Sequence, residues 1–212
     1  MGNKVSPIGF RLGTVYTWTS RWFANGSRYK DLVVEDAKIR KAILKKLKPA
    51  GVSRVEIDRS INKITVTVFV SRPGVVIGRG GQGTEDLKKF VSGLILKGKE
   101  KDATKLEVKV EAIKEPVLDA YLVAVNIADQ LARRMPAKRI MKQAVEKTMA
   151  AGAKGVKITL GGRIGGAEIA RVEKESAGVI PLSTIREKID FVAYPAYTKS
   201  GYIGVKVWIC RQ

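Results

Sequence analysis

The sequence predicts an α+β fold of two small domains behind a basic arm. Two patterns carry this reading. Helix-period and strand-period segments follow one another as helix, strand, strand, helix, strand, and Pro116 closes that set. After it come two adjacent helices and then only strand signals, the order expected when helices pack on one face of a mainly antiparallel sheet. The expected domains are an arm over residues 1–30, a first domain over 31–115 and a second over 116–212.

Residues 1–30 hold neither period for long. They are rich in Gly, Ser, Thr and aromatics, with Trp18, Trp22, Phe23 and Tyr29 interleaved with Arg21, Arg28 and Lys30. Rings beside cations stack on unpaired bases while the cations meet phosphate, so Lys4, Arg11, Trp18, Arg21, Trp22 and Arg28 are candidate RNA contacts. The alternative is that these rings plug the arm onto the folded body. Residues 31–48 repeat Ile39, Ile43, Leu44 and Leu47 at helical spacing, and Pro49-Ala50-Gly51 ends that helix. Residues 52–58 alternate as a strand, residues 60–62 turn, and residues 63–70 place Ile64, Val66, Val68 and Val70 on one strand face. Residues 84–96 form a helix with Leu87, Phe90, Val91 and Leu94 inward and Thr84 as N-cap. A polar turn over 97–104 leads to a strand over 105–113.

In the second domain, residues 117–134 read as a largely buried helix with one polar stripe through Asp119, Asn126, Gln130 and Arg133. Pro136 opens a further helix, since proline is tolerated at the first helical position, and Gly152 stops it. Strands are expected over 155–160, 166–173, 183–194 and 201–209.

Composition narrows the function. Of 212 residues 45% are apolar, enough for packed cores, and no apolar run is long enough for a membrane helix, so no membrane partner is expected. There is no histidine, and Cys210 is the one cysteine. That removes histidine-based catalysis, intrachain disulfides and the usual zinc sites, and neither a metal nor a cofactor is expected. The net charge is +20, from 40 basic and 20 acidic residues. It is spread along the chain: five cations and no acid in 1–30, then net +3 in 31–60, +4 in 61–115, +3 in 116–152 and +5 in 153–212. A polyanion contacted over a wide surface is the natural partner, and nucleic acid ranks first.

Two clusters stand out. Gly78-Arg79-Gly80-Gly81-Gln82-Gly83 satisfies the dinucleotide pattern G-x-G-x-x-G, and Gly78-x-x-Gly81 also satisfies the clamp of a KH module. The dinucleotide reading needs a strand running straight into the loop and an acid after the next strand. Here Pro73-Gly74 interrupt, and Asp102 lies before that strand. The KH reading makes Gly78, Arg79, Gly80 and Gly81 a backbone-binding clamp for a few unpaired nucleotides. The bland alternative is a tight turn that binds nothing. The second cluster is Arg133, Arg134, Lys138, Arg139 and Lys142, with no acid between Gln130 and Val145. On the helix after Pro136, Lys138, Arg139 and Lys142 share a face opposite Ile140, Met141, Ala144, Val145 and Thr148.

The chain resembles the bacterial form of the third small-subunit ribosomal protein family. The likeness rests on "MGNKVSPIGFRLG" at 1–13, "WFAN" at 22–25, "RPGVVIGRGG" at 72–81, "LARRMPAKRIMKQAV" at 131–145, "GAKGVKI" at 152–158, "GGAEIAR" at 165–171, "PLSTIR" at 181–186 and "GVKVWI" at 204–209. The resemblance implies a prokaryotic-type KH domain followed by a second α+β domain. It implies a place in the head of the small subunit of a bacterial or organellar ribosome, in the cytoplasmic or organellar compartment that holds it. The implied partners are small-subunit rRNA, mRNA, and the tenth, fourteenth, fourth and fifth small-subunit proteins; no small-molecule substrate and no catalytic residue are implied. By alignment, gripping and unwinding mRNA at its entry falls on Lys138, Arg139 and Lys142, with Arg133 and Arg134 beside them. The clamp departs from the family in carrying one cation, Arg79, and Ser6 stands where histidine is usual. The rivals are a freestanding KH regulator of RNA and a dinucleotide-dependent enzyme.

Overall fold

A computed structural model describes residues 4–95 and 105–211. The expected turn at 97–104, with Asp102, and the last residue of the helix expected over 84–96 lie outside these. The chain divides into two compact units, Trp18–Lys114 and, together, Met1–Thr17 with Glu115–Gln212. The segment expected as a single arm therefore splits between Thr17 and Trp18.

In the unit from Trp18 to Lys114, β1 (Ser20–Arg21), β2 (Val52–Ser60), β3 (Lys63–Val70) and β4 (Lys105–Ala112) form one sheet in the order β1-β2-β3-β4. β2 and β3 are an antiparallel hairpin; β1 joins β2 in parallel and β4 joins β3 in parallel. Helices α2 (Ser27–Lys46), α3 (Pro73–Ile77) and α4 (Gln82–Ile95) accompany the sheet. The alternation read in β3 has its physical basis here: Ile64, Val66, Val68 and Val70 are buried in one cluster with Ile39, Ile43, Leu87 and Val91. The two-residue β1 is too short to leave an alternation in the sequence.

That strand is held by a buried carboxylate. Asp36 on α2 is 2% exposed and accepts from Ser20 Oγ at 2.9 Å and Trp22 Nε1 at 2.8 Å. It also accepts from Arg59 Nε at 3.0 Å and Nη2 at 2.6 Å. Arg59 also meets Glu35 at 2.9 Å.

In the other unit, β5 (Gly155–Gly162), β6 (Arg171–Gly178), β7 (Ile189–Thr198) and β8 (Gly201–Cys210) form a fully antiparallel sheet in the order β6-β5-β8-β7. Helices α5 (Ala120–Ala132) and α6 (Ala137–Ala150) bury Ile127, Leu131, Ile140, Met141 and Val145 against Val156, Ile158, Leu160, Val205, Val207 and Ile209. Three expectations move. Asp119 is the N-cap of α5 rather than part of its polar stripe, accepting from the N–H groups of Tyr121 and Leu122 at 3.0 and 3.1 Å. The strand expected at 166–173 begins at Arg171, because Gly165 and Gly166 turn with φ +70° and +85° and leave Ile169 83% exposed. β7 runs on through Pro195, which an edge strand tolerates since no ladder hydrogen bond is needed on its outer side. Among the described residues no helix is long and apolar enough to cross a membrane.

The short helix α1 (Pro7–Phe10) packs against β7. Its anchor is Arg11, which is fully buried. Its guanidinium donates to the carbonyls of Glu187 at 2.8 Å, Pro7 at 3.0 Å, Pro181 at 3.3 Å, Leu182 at 2.9 Å and Thr184 at 2.8 Å. Four of those carbonyls lie in the loop 181–187, outside any strand ladder, and the fifth is in α1, so the buried arginine ties that loop to the leading segment. Arg11→Met removes these donors and leaves the Pro181 carbonyl with the Thr184 N–H alone. Its expected effect is a loss of roughly 3–5 kcal/mol in unfolding free energy, checked by denaturant titration.

Candidate nucleic-acid interface

The glycine loop lies between two helices. α3 ends at Ile77, and Gly78, Gly80 and Gly81 then take φ of +68°, +62° and +83°, a path that side-chain-bearing residues rarely follow. A Cβ placed on Gly80 meets nothing within 4 Å, so the backbone there is open to an incoming phosphate. Arg79 is exposed at the tip. A helix, not a strand, runs into the glycines, which removes the strand–loop–helix geometry of the dinucleotide fingerprint. Thr84 is not an N-cap: α4 already begins at Gln82, and the Thr84 hydroxyl donates to the Gly81 carbonyl at 2.7 Å.

Gly83 completes the false fingerprint, but for its own reason. A Cβ there would sit 2.2 Å from the Val76 carbonyl oxygen and 2.9 Å from that of Ile77. The first turn of α4 crosses the end of α3 at backbone contact, so only a hydrogen fits. This glycine sets the angle at which the clamp is held. Gly83→Ala should lower the melting temperature and broaden the loop's amide resonances, while Gly93→Ala, with nothing within 4 Å of its added Cβ, should do neither.

The second cluster surrounds the junction of α5 and α6. Arg133, Arg134, Lys138, Arg139 and Lys142 are all exposed, and none forms an ion pair with a described residue. The sequence places Lys138, Arg139 and Lys142 outward because Ile140, Met141, Val145 and Thr148 are pulled into the core one helical face away. The N-terminus of α6 has no acid in its first turn and no side-chain cap. Cations there oppose the positive end of the helix dipole and are unfavourable until an anion arrives. An anion at this junction would relieve both the dipole and the crowding of cations.

Arg134 carries backbone strain as well. Its φ is +60°, and it is the only described non-glycine residue with positive φ. It closes α5 in a Schellman turn: its N–H donates to Leu131 O at 2.9 Å and that of Met135 to Gln130 O at 3.3 Å. Glycine is the usual residue at such a position, and arginine there costs about 1–2 kcal/mol. Arg134→Gly should raise unfolding free energy by about 1 kcal/mol while weakening RNA retention, measured by denaturation and by salt-dependent binding to a labelled RNA.

The candidates of the arm divide. Lys4, Trp18 and Arg28 are exposed, as is Phe23, with Trp18 at 63% and Phe23 at 86%. Arg11 is corrected: it is buried and its donors are taken by carbonyls, so it does not face RNA. Trp22 is corrected likewise: its N–H is held by Asp36, and its ring lies 5.5 Å from that of Tyr29. Arg21 keeps an exposed side chain but pairs with Glu56 at 2.5 Å and Asp58 at 2.9 Å. No sequence signal separates these roles, because an arginine that binds carbonyls and one that binds phosphate look alike in composition.

Cys210 is buried, and that burial, followed by the nearby Glu187 carboxylate, pushes its thiol pKa up. The thiol stays protonated and is a poor nucleophile. Among the described residues no group of His, Cys, Asp and Glu is placed to hold a metal ion.

Comparison with known proteins follows the same division. A family model described as a KH domain matches residues 38–118, and one described as the C-terminal domain of ribosomal protein S3 matches residues 127–209. The small ribosomal subunit protein uS3 of Dehalococcoides mccartyi strain CBDB1 is 46% identical over 211 residues, spanning 100% of this chain and 73% of the relative. That of Shouchella clausii is 45% identical over 211 residues, with 100% and 93% covered. That of Rhodopirellula baltica is 46% identical over 214 residues, with 99% and 88% covered.

Proposed function

The chain belongs to the uS3 family of small ribosomal subunit proteins, and from that premise we propose that it is a structural constituent of the small subunit that binds small-subunit rRNA. It acts by contact rather than by catalysis. Most of its affinity comes from phosphate contacts and counterion release, and falls steeply with salt.

The finer proposal concerns mRNA. The chain lies in the subunit head beside the tenth and fourteenth small-subunit proteins. With the fourth and fifth it lines the channel by which mRNA enters. The single observation that supports this role is the cluster of five exposed, unpaired cations around the uncapped N-terminus of α6. Lys138, Arg139 and Lys142 stand on a helix whose other face is locked into a core, so they hold phosphates at fixed positions. Arg133 and Arg134 extend the grip to the preceding turn. The unwinding role is passive: the cations retain the backbone of an incoming strand while translocation supplies the work. The Arg79 clamp, with its one cation, contributes a weaker grip on unpaired RNA.

Simultaneous Lys138→Ala, Arg139→Ala and Lys142→Ala should slow translation through structured messages several-fold and leave unstructured messages nearly unchanged. Ribosome run-off times on matched messages measure this. Equal slowing of both would remove the unwinding role while leaving the structural one. Recovery of the chain mainly in the particle-free fraction of a lysate would point instead to a freestanding regulator of RNA.

A further inference from the structure

The second sheet has one face against α5 and α6. On its other face Ile189 and Cys210 are buried at one end, and α1 packs against β7, while the rows beyond that pair are open. Strand registers place the uncovered side chains in rows. Lys157, Trp208 and Phe191 are adjacent across β5, β8 and β7. Lys174, Thr159, Lys206 and Ala193 form the next row across all four strands. Tyr202 and Tyr197 pair at the hairpin end.

The chemistry of this face is uniform. Among the described residues no carboxylate stands in these rows: Glu173 and Glu175 pair with Leu160 and Ile158 on the helix side, Asp190, opposite Ile209, accepts from the Ala120 N–H of α5 at 3.0 Å, and Glu187 meets this side only at Cys210, beyond the last row, 3.8 Å from its Sγ. Lys157, Lys174 and Lys206 form no ion pair with a described residue. The rings are grouped, with Phe191 and Trp208 centroids 5.0 Å apart, Lys157 Nζ 5.7 Å from the Trp208 ring, and Tyr197 and Tyr202 at 5.3 Å. The tyrosines gain little burial from pairing, remaining 71% and 70% exposed. From Trp208 to Tyr202 is six strand residues, ~20 Å of face, enough for about four nucleotides.

We propose that this open sheet face is a second RNA platform, binding an unpaired segment of small-subunit rRNA by stacking on Tyr197, Tyr202 and Trp208 with Lys157, Lys174 and Lys206 on its phosphates. Exposed rings with cations and no acids suit bases and phosphates; a protein partner would have to bring its own carboxylates. The occupant is rRNA rather than mRNA because the sheet separates this face from the cations of α6. The proposal rests on the small-subunit reading above.

The test uses small subunits assembled with the full chain. Ultraviolet crosslinks to rRNA are mapped by mass spectrometry of the peptides. Crosslinks are expected at Trp208 and at the tyrosines. With Tyr197→Ser and Tyr202→Ser together, the Trp208 crosslink should fall about tenfold, while the Tyr197→Phe and Tyr202→Phe pair should keep it. Crosslinks from other parts of the chain but none from this face would overturn the platform. So would lysine-directed crosslinks tying Lys174 or Lys206 to another protein in place of RNA, or crosslinks from this face to mRNA. Loss of every rRNA crosslink along the chain would overturn the functional reading itself.

Discussion

Twenty carboxylates must serve forty cations, and their placement governs the structure. The acids that matter for stability are drawn inward as anchors. Asp36 gathers Ser20, Trp22 and Arg59; Asp119 caps α5 and Asp190 receives its first N–H; Glu56 and Asp58 hold Arg21 on the sheet. Burial, with Asp119 close by, holds the Asp190 carboxyl above its usual range even though the Ala120 N–H and Arg211 pull it down. This allocation leaves the helix junction at 133–142 and the open sheet face without acids. Such surfaces repel themselves in isolation and are relieved by a polyanion, so the stability of the fold and its affinity for RNA draw on one limited set of negative charges.

Periodicity made most of the architecture legible. Strand β3 falls on the expected residues because alternation and burial coincide over most of its length, with Thr67 the one buried residue on the other face. Helix α6 was readable for the same reason, with its apolar stripe and Pro136 both visible. Strands β6 and β7 were misplaced because they are sheet edges: β6 is only half covered, and its alternation is blurred by polar residues on both faces. The five-residue α3 and two-residue β1 are too short for any period.

The candidate interface stands out in the sequence where its local pattern is unusual and is hidden where the pattern is ordinary. Three glycines and a run of cations without acids announce themselves. The burial of Arg11 does not, because four of its five partners are main-chain carbonyls more than 160 residues away, and a carbonyl has no sequence. Nor does the open face, whose rings and lysines come from four strands and meet only through register. Gly83 counts in the sequence only toward the rejected dinucleotide pattern; its place in the packing of two helices has no sequence signal.

The reach of Arg11 also fixes an order in time. Its carbonyl partners at Pro181, Leu182, Thr184 and Glu187 lie at the opposite end of the chain. During synthesis the first segment leaves the ribosome and must wait, at ordinary elongation rates on the order of ten seconds, until its acceptors exist. The unit from Trp18 to Lys114 has all its own residues long before that. A newborn chain thus passes through a stage with a fully synthesised first unit and a basic leader whose acceptors are still missing. A chain cut short before Pro181 lacks four of the five carbonyls that hold Arg11.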